Sequence, residues 1–91
     1  MLPLLLLAAC APQAPGGGAD FVNVDGHRID VAYLGGRMFS ARGGEETHDK
    51  WVKYRQVRAV EIISLCRVTE SHVEGGALAA TVGCERPRTH L

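Results

Sequence analysis

No charged residue occurs before Asp20. All ten Lys and Arg and all ten Asp and Glu lie in residues 20–91, where they cancel to a net charge of zero. That partition limits what the chain can fold into. An uncharged stretch followed by a charged one separates an address segment from a domain, and the domain then has at most 72 residues. Residues 20–91 hold 22 large apolar side chains, enough for one thin core and one domain. A core of that size benefits from a covalent staple. Net neutrality without a Lys/Arg cluster argues against nucleic acid as a partner, because phosphate neutralisation needs clustered positive charge. No apolar run reaches the 18 or so residues of a membrane-spanning helix.

Met1-Leu-Pro-Leu-Leu-Leu-Leu-Ala-Ala9 is apolar and ends in small residues, as secretory signals do. Leu7-Ala8-Ala9-Cys10 resembles the lipobox of bacterial lipoproteins. The resemblance covers about ten residues and implies cleavage before Cys10. It also implies a diacylglyceryl thioether on the Cys10 sulfur and an acylated new N-terminus. Each buried methylene contributes about 0.8 kcal/mol, so two or three acyl chains make a stable anchor where one does not. The expected location is the bacterial cell envelope, with the domain in the periplasm. Ala11 directly after Cys10 slightly favours the outer over the inner membrane by the same resemblance. Pro3, Pro12 and Pro15 argue against a buried helix or strand here. Residues 1–9 are thus read as signal peptide. Residues 10–19, the lipidated Cys10 and a Pro/Gly-rich stretch, read as a tether.

The domain over 20–91 is predicted to be α+β: a small antiparallel sheet of two hairpins, with one packed helix, in the order β-β-(β)-α-β-β. Asp25-Gly26 between β-prone runs predicts a two-residue type I′ turn. It pairs Val24 with His27, Asn23 with Arg28 and Val22 with Ile29. Val22, Val24, Ile29, Val31 and Tyr33 then share one face, and Asn23, Arg28 and Asp30 the other. Gly35-Gly36 signals a second turn, after which residues 37–42 are expected to return as the bracketed third strand, with Met38 opposite Tyr33. A helix is expected over about 46–64. Glu46/Lys50 and Asp49/Lys53 are favourable four-apart pairs, and Val52, Gln56, Ala59, Val60 and Ile63 follow the i, i+4, i+7, i+8, i+11 stripe of one helix face. Trp51, Tyr54 and Ile62 lie off that stripe and are candidates for a partner-binding patch, with packing under a loop as the alternative.

Residues 66–84 read as a final hairpin. A two-residue turn at Gly75-Gly76 would pair Val68 with Gly83 and mismatch the faces. A three-residue loop, Glu74-Gly75-Gly76, sets Val68 opposite Val82 and Cys66 opposite Cys84. Opposed strand residues fall within disulfide range. Given the oxidising compartment that the lipobox implies, a Cys66–Cys84 disulfide is the expectation. It closes a loop of about 17–19 residues, worth roughly 3 kcal/mol. A zinc site at Cys66, His72 and Cys84, or a reactive thiol, are the alternatives, and neither has the usual ligand spacing or catalytic partner.

His27, His48, His72 and His90 show no metal spacing. Glu70 and His72 are placed on the face of Cys66 and Val68, where an acid–base pair competes with a simple rim interaction. The paired glycines form neither a P-loop nor a dinucleotide fingerprint. No catalytic residue, metal or cofactor is therefore expected. The leading functional expectation is a non-catalytic structural or interaction module, held at the membrane by Cys10 and meeting an envelope protein partner. The alternatives are a periplasmic inhibitor or ligand-binding module exposing a hairpin or the Trp51/Tyr54 patch to an enzyme or small molecule, and an enzyme using Glu70 and His72.

Overall fold

A computed structural model describes residues 19–44 and 51–91. Among these, the elements are β1 (Ala19–Val24), β2 (His27–Gly35), β3 (Met38–Gly43), α1 (Val52–Ser64), β4 (Val68–Glu74) and β5 (Ala77–Val82). The strands form one antiparallel sheet in the order β1-β2-β3-β5-β4. The helix packs on one face of it, so the small α+β fold is as the sequence predicts. The third strand is present and is central: β3 joins the first hairpin to β5.

The first turn follows its chemistry. Asp25 and Gly26 both take positive φ, 54° and 83°, as a type I′ turn requires. Val24 pairs with His27, Asn23 with Arg28 and Val22 with Ile29. Val22, Val24, Ile29 and Val31 are buried under the helix, and Asn23, Arg28 and Asp30 are exposed.

The other two turns depart from the expected connections, the second hairpin in register and the last in loop length. Tyr33 pairs with Phe39 rather than Met38, and a bulge at Leu34 takes up the extra residue. The alternating pattern explains why. With Met38 opposite Tyr33, Ser40 and Arg42 would point inward. The bulge instead turns Phe39 and Ala41 into the core and leaves Met38 exposed. The Tyr33 hydroxyl donates to the Gly36 carbonyl at 2.9 Å, and its ring lies 5.2 Å from that of Phe39.

In the last hairpin the turn has two residues, not three. Gly75 (φ 57°) and Gly76 (φ 82°) form it, and Glu74 pairs with Ala77. Val68 still meets Val82, because the extra residue is a bulge at Thr69 on edge strand β4. An edge strand has no second partner to lose, so it absorbs an irregularity that two adjacent glycines do not need. The bulge has a consequence for the face assignment. Glu70 and His72 lie opposite Thr81 and Ala79, on the face away from the helix, and not on that of Val68.

The described helix begins at Val52, and the expected turn over 46–50 lies outside the described residues. Gln56, Ala59, Val60 and Ile63 are buried, as the stripe predicts, with Val52 half-buried beside them. Arg55 is buried beside them, and it and Gln56 are bonded to the backbone. Arg55 donates from Nε and Nη2 to the Gly44 carbonyl (3.3 and 3.0 Å), and Gln56 Nε2 donates to that of Gly43 (3.0 Å). Both are buried and so need such partners. They fasten the start of α1 to the end of β3.

Gly43 has φ +94°, and an added Cβ would lie 2.8 Å from the Arg28 carbonyl oxygen. Backbone strain and contact act together, so Gly43→Ala is expected to destabilise the domain by about 2 kcal/mol. Urea unfolding followed by circular dichroism checks this. No loss would mean that the end of β3 relaxes freely.

Candidate functional site

Strand direction gathers a distinct set of residues at one end of the sheet. Ala19, Gly35, Met38, Val68 and Val82 all lie there, with the C-terminus of α1. Short backbone bonds knit this end together: Val82 N–H to Arg37 C=O, Gly83 N–H to Arg67 C=O, and Arg88 N–H to Ser64 C=O, at 2.9–3.0 Å. Cys66 and Cys84 form a disulfide here, with Cα atoms 5.9 Å apart. Ser64 Oγ accepts from the Cys66 N–H at 3.1 Å, and Glu61 Oε2 accepts from the Val68 N–H at 2.9 Å. The helix therefore positions both the first cysteine and the start of β4.

The residues after Cys84 are tied down by specific bonds. Arg88 donates from Nε to the Ile63 carbonyl (2.8 Å) and from Nη2 to the Ile62 carbonyl (2.9 Å). Those carbonyls belong to the last turn, which has no intrahelical partners of its own, and the cation also complements the negative end of the helix dipole. Further along, the Leu91 N–H donates to Asp20 Oδ2 at 2.8 Å, next to the entry of β1. The bonds from the Leu91 and Phe21 N–H groups hold the Asp20 carboxyl below its ordinary pKa. A depressed carboxylate contributes above its unfolded pKa, and the contribution is lost as pH falls through the lowered one. This clasp is thus intact at neutral pH and opens in acid.

Leu65 stands out at this end. It closes α1 with φ 61°, a left-handed conformation that costs a non-glycine residue about 1 kcal/mol. Its side chain is 69% exposed. The left-handed turn ends the helix, with the Leu65 N–H donating to the Glu61 carbonyl at 2.9 Å, but the exposed side chain gains no burial and glycine would serve that backbone better. Leu34, beside the Gly35-Gly36 turn, is 56% exposed, and Leu91 is exposed as well. Arg37, Arg67 and Arg86 are exposed too. Leu65 and Arg88 escape sequence reasoning, because one lies outside the periodic stripe and the other in a stretch that reads as a tail. The missing glycine after the helix is the signal that marks Leu65.

The start of α1, some 20 Å away along the helix axis, has another character. Trp51 and Tyr54 are 55% and 49% exposed and meet edge to face, with ring centroids 6.0 Å apart. Ile62 does not join them: it is half-buried, packs on the core and sits in the last turn. The disulfide takes up both thiols that a zinc site or a reactive cysteine would need. His72 approaches Glu74, Nε2 to Oε1 at 3.7 Å, with both side chains largely in solvent. Such an exposed pair is weak. Among the described residues no group of three His, Cys, Asp or Glu is placed to hold a metal ion, and no helix is long and apolar enough to cross a membrane. Cys10 and His48 lie outside the described residues. No protein-family profile, curated protein or solved structure matches the chain.

Proposed function

We propose that the chain is a lipid-anchored bacterial envelope protein whose domain acts as a non-catalytic interaction module. Leu7-Ala8-Ala9-Cys10 carries this reading. The disulfide supports it, since a stapled domain of this size belongs in an oxidising compartment. The exposed Trp51–Tyr54 pair is the surface offered to a partner protein in the envelope, because aromatic side chains dominate binding energy at such contacts. The same pair suits the second reading, a periplasmic inhibitor or ligand-binding module.

Intact-mass analysis of the membrane-extracted protein tests the anchor. The expected species starts at Cys10 and carries diacylglyceryl and acyl mass. Cys10→Ala is expected to lose that mass and to move from the membrane fraction to the soluble one. A membrane-extracted protein without added lipid mass would refute the reading.

A further inference from the structure

We infer that the end of the domain bearing Leu34, Leu65, Arg37, Arg67 and Arg86 docks on an anionic lipid surface and fixes the orientation of the domain. The inference rests on the proposed anchor at Cys10 and adds which side of the domain meets the membrane. Three independent observations point the same way.

The first is where the described chain begins. Ala19 enters β1 at this end. Eight residues lie between Cys10 and Ala19, and the nine Cα–Cα steps reach only roughly 30 Å even fully extended. This end is thus confined near the surface that holds the acyl chains, and a weak attraction suffices to seat it.

The second is the chemistry of the patch. Leu34 and Leu65 expose large apolar side chains where the fold gains nothing from them, and Leu65 does so from a strained backbone. Arg37, Arg67 and Arg86 are exposed at the same end: the backbone bonds of Arg37 to Val82 and Arg67 to Gly83 hold the first two beside the end of β5, and Arg86 follows Cys84 of the disulfide. Exposed leucines accompanied by arginines at one end match the boundary between acyl chains and anionic headgroups. The arginines also carry long apolar stems that lie along such a boundary.

The third is charge balance. The acids at this end are Asp20, Glu61, Glu70 and Glu85, with Glu70 opposite Thr81 and so beside Met38. Asp20 is engaged by the Leu91 and Phe21 N–H groups, and Glu61 by Val68 N–H and Arg58. Arg88 adds a fourth cation on the helix carbonyls. Four arginines thus meet four acids, but with Asp20, Glu61 and Arg88 engaged within the fold, the exposed groups left are Arg37, Arg67 and Arg86 against Glu70 and Glu85.

Trp51 is the only tryptophan and lies at the opposite end of α1, which makes orientation measurable. The full lipidated protein is reconstituted in phosphatidylethanolamine/phosphatidylglycerol vesicles containing lipid brominated along the acyl chain, and its mass is read first. Wild-type Trp51 fluorescence is expected to be nearly unquenched. The double variant Trp51→Phe/Leu65→Trp is expected to be quenched at least threefold. Adding Arg37→Glu, Arg67→Glu and Arg86→Glu to it, or using uncharged-headgroup phosphatidylcholine vesicles, is expected to abolish most of that quenching. Circular dichroism confirms that each variant is folded, and hydrogen exchange at Leu34, Leu65 and Arg67 in the wild type gives the same readout without substitution. Missing lipid mass overturns the anchor and the docking together. Lipid mass with equal quenching at the two reporter positions, or with quenching indifferent to headgroup charge, overturns the docking alone.

Discussion

Phe39→Ala is expected to unfold most of the domain at physiological temperature. Phe39 is fully buried on β3, the strand that joins the first hairpin to the last. It faces Tyr33 on β2 and Ala80 on β5, and α1 covers that face. Truncating such a ring costs about 3–5 kcal/mol, from lost burial and from the cavity left behind. A domain of this size has roughly 5 kcal/mol in total. Urea titration of the oxidised protein should show a midpoint near zero denaturant. Met38→Ala is the matched control, because Met38 is the neighbouring exposed residue, and it should change stability by less than about 0.5 kcal/mol. If the two variants exchanged behaviour, the bulge at Leu34 would be misplaced and Met38 would be the inward residue.

Reducing Cys66–Cys84 is expected to have the second-largest effect. The bond closes a loop with a sequence separation of 18, and the chain-entropy relation gives about 3 kcal/mol for it. In a domain this small each kcal/mol moves the melting temperature by about 4–8 °C, so a fall of more than about 10 °C follows. Thermal melts with and without reductant measure it. Cys66→Ser/Cys84→Ser should melt where the reduced protein does and should not respond to reductant. Equal melting temperatures for oxidised and reduced protein would mean that β4 and β5 are already held in place by the Val68–Val82 pairing alone.

The parts of the fold that are legible in the sequence are those where two local signals agree. Asp25-Gly26 names a turn type, and the alternation from Val22 to Val31 selects the same register. The stripe from Gln56 to Ile63 likewise finds the buried face of α1. The two bulges are illegible for a common reason. A bulge at Leu34 or Thr69 is chosen by what the rest of the strand must bury, and that depends on the sheet being assembled. At Gly75-Gly76 the expected pairing of Val68 with Val82 is observed although the expected loop is not, because an extra residue can sit anywhere between the turn and Val68. The site shows the same division. The cysteine pair follows from register, whereas Arg88 reaches Ile62 and Ile63 across more than twenty residues of intervening chain, and no local pattern encodes that contact.

The placement of the two domain cysteines also bears on the order of events during folding. They sit at the two roots of one hairpin, and residues 20–91 contain no third thiol. Oxidation therefore has one outcome within the domain and needs no isomerase to correct it. It requires only that β4 and β5 meet, which is a local search, whereas docking β5 beside β3 joins segments far apart in the chain. A stapled hairpin can then offer β5 as a ready-made template edge, against which the earlier strands and the helix complete the sheet.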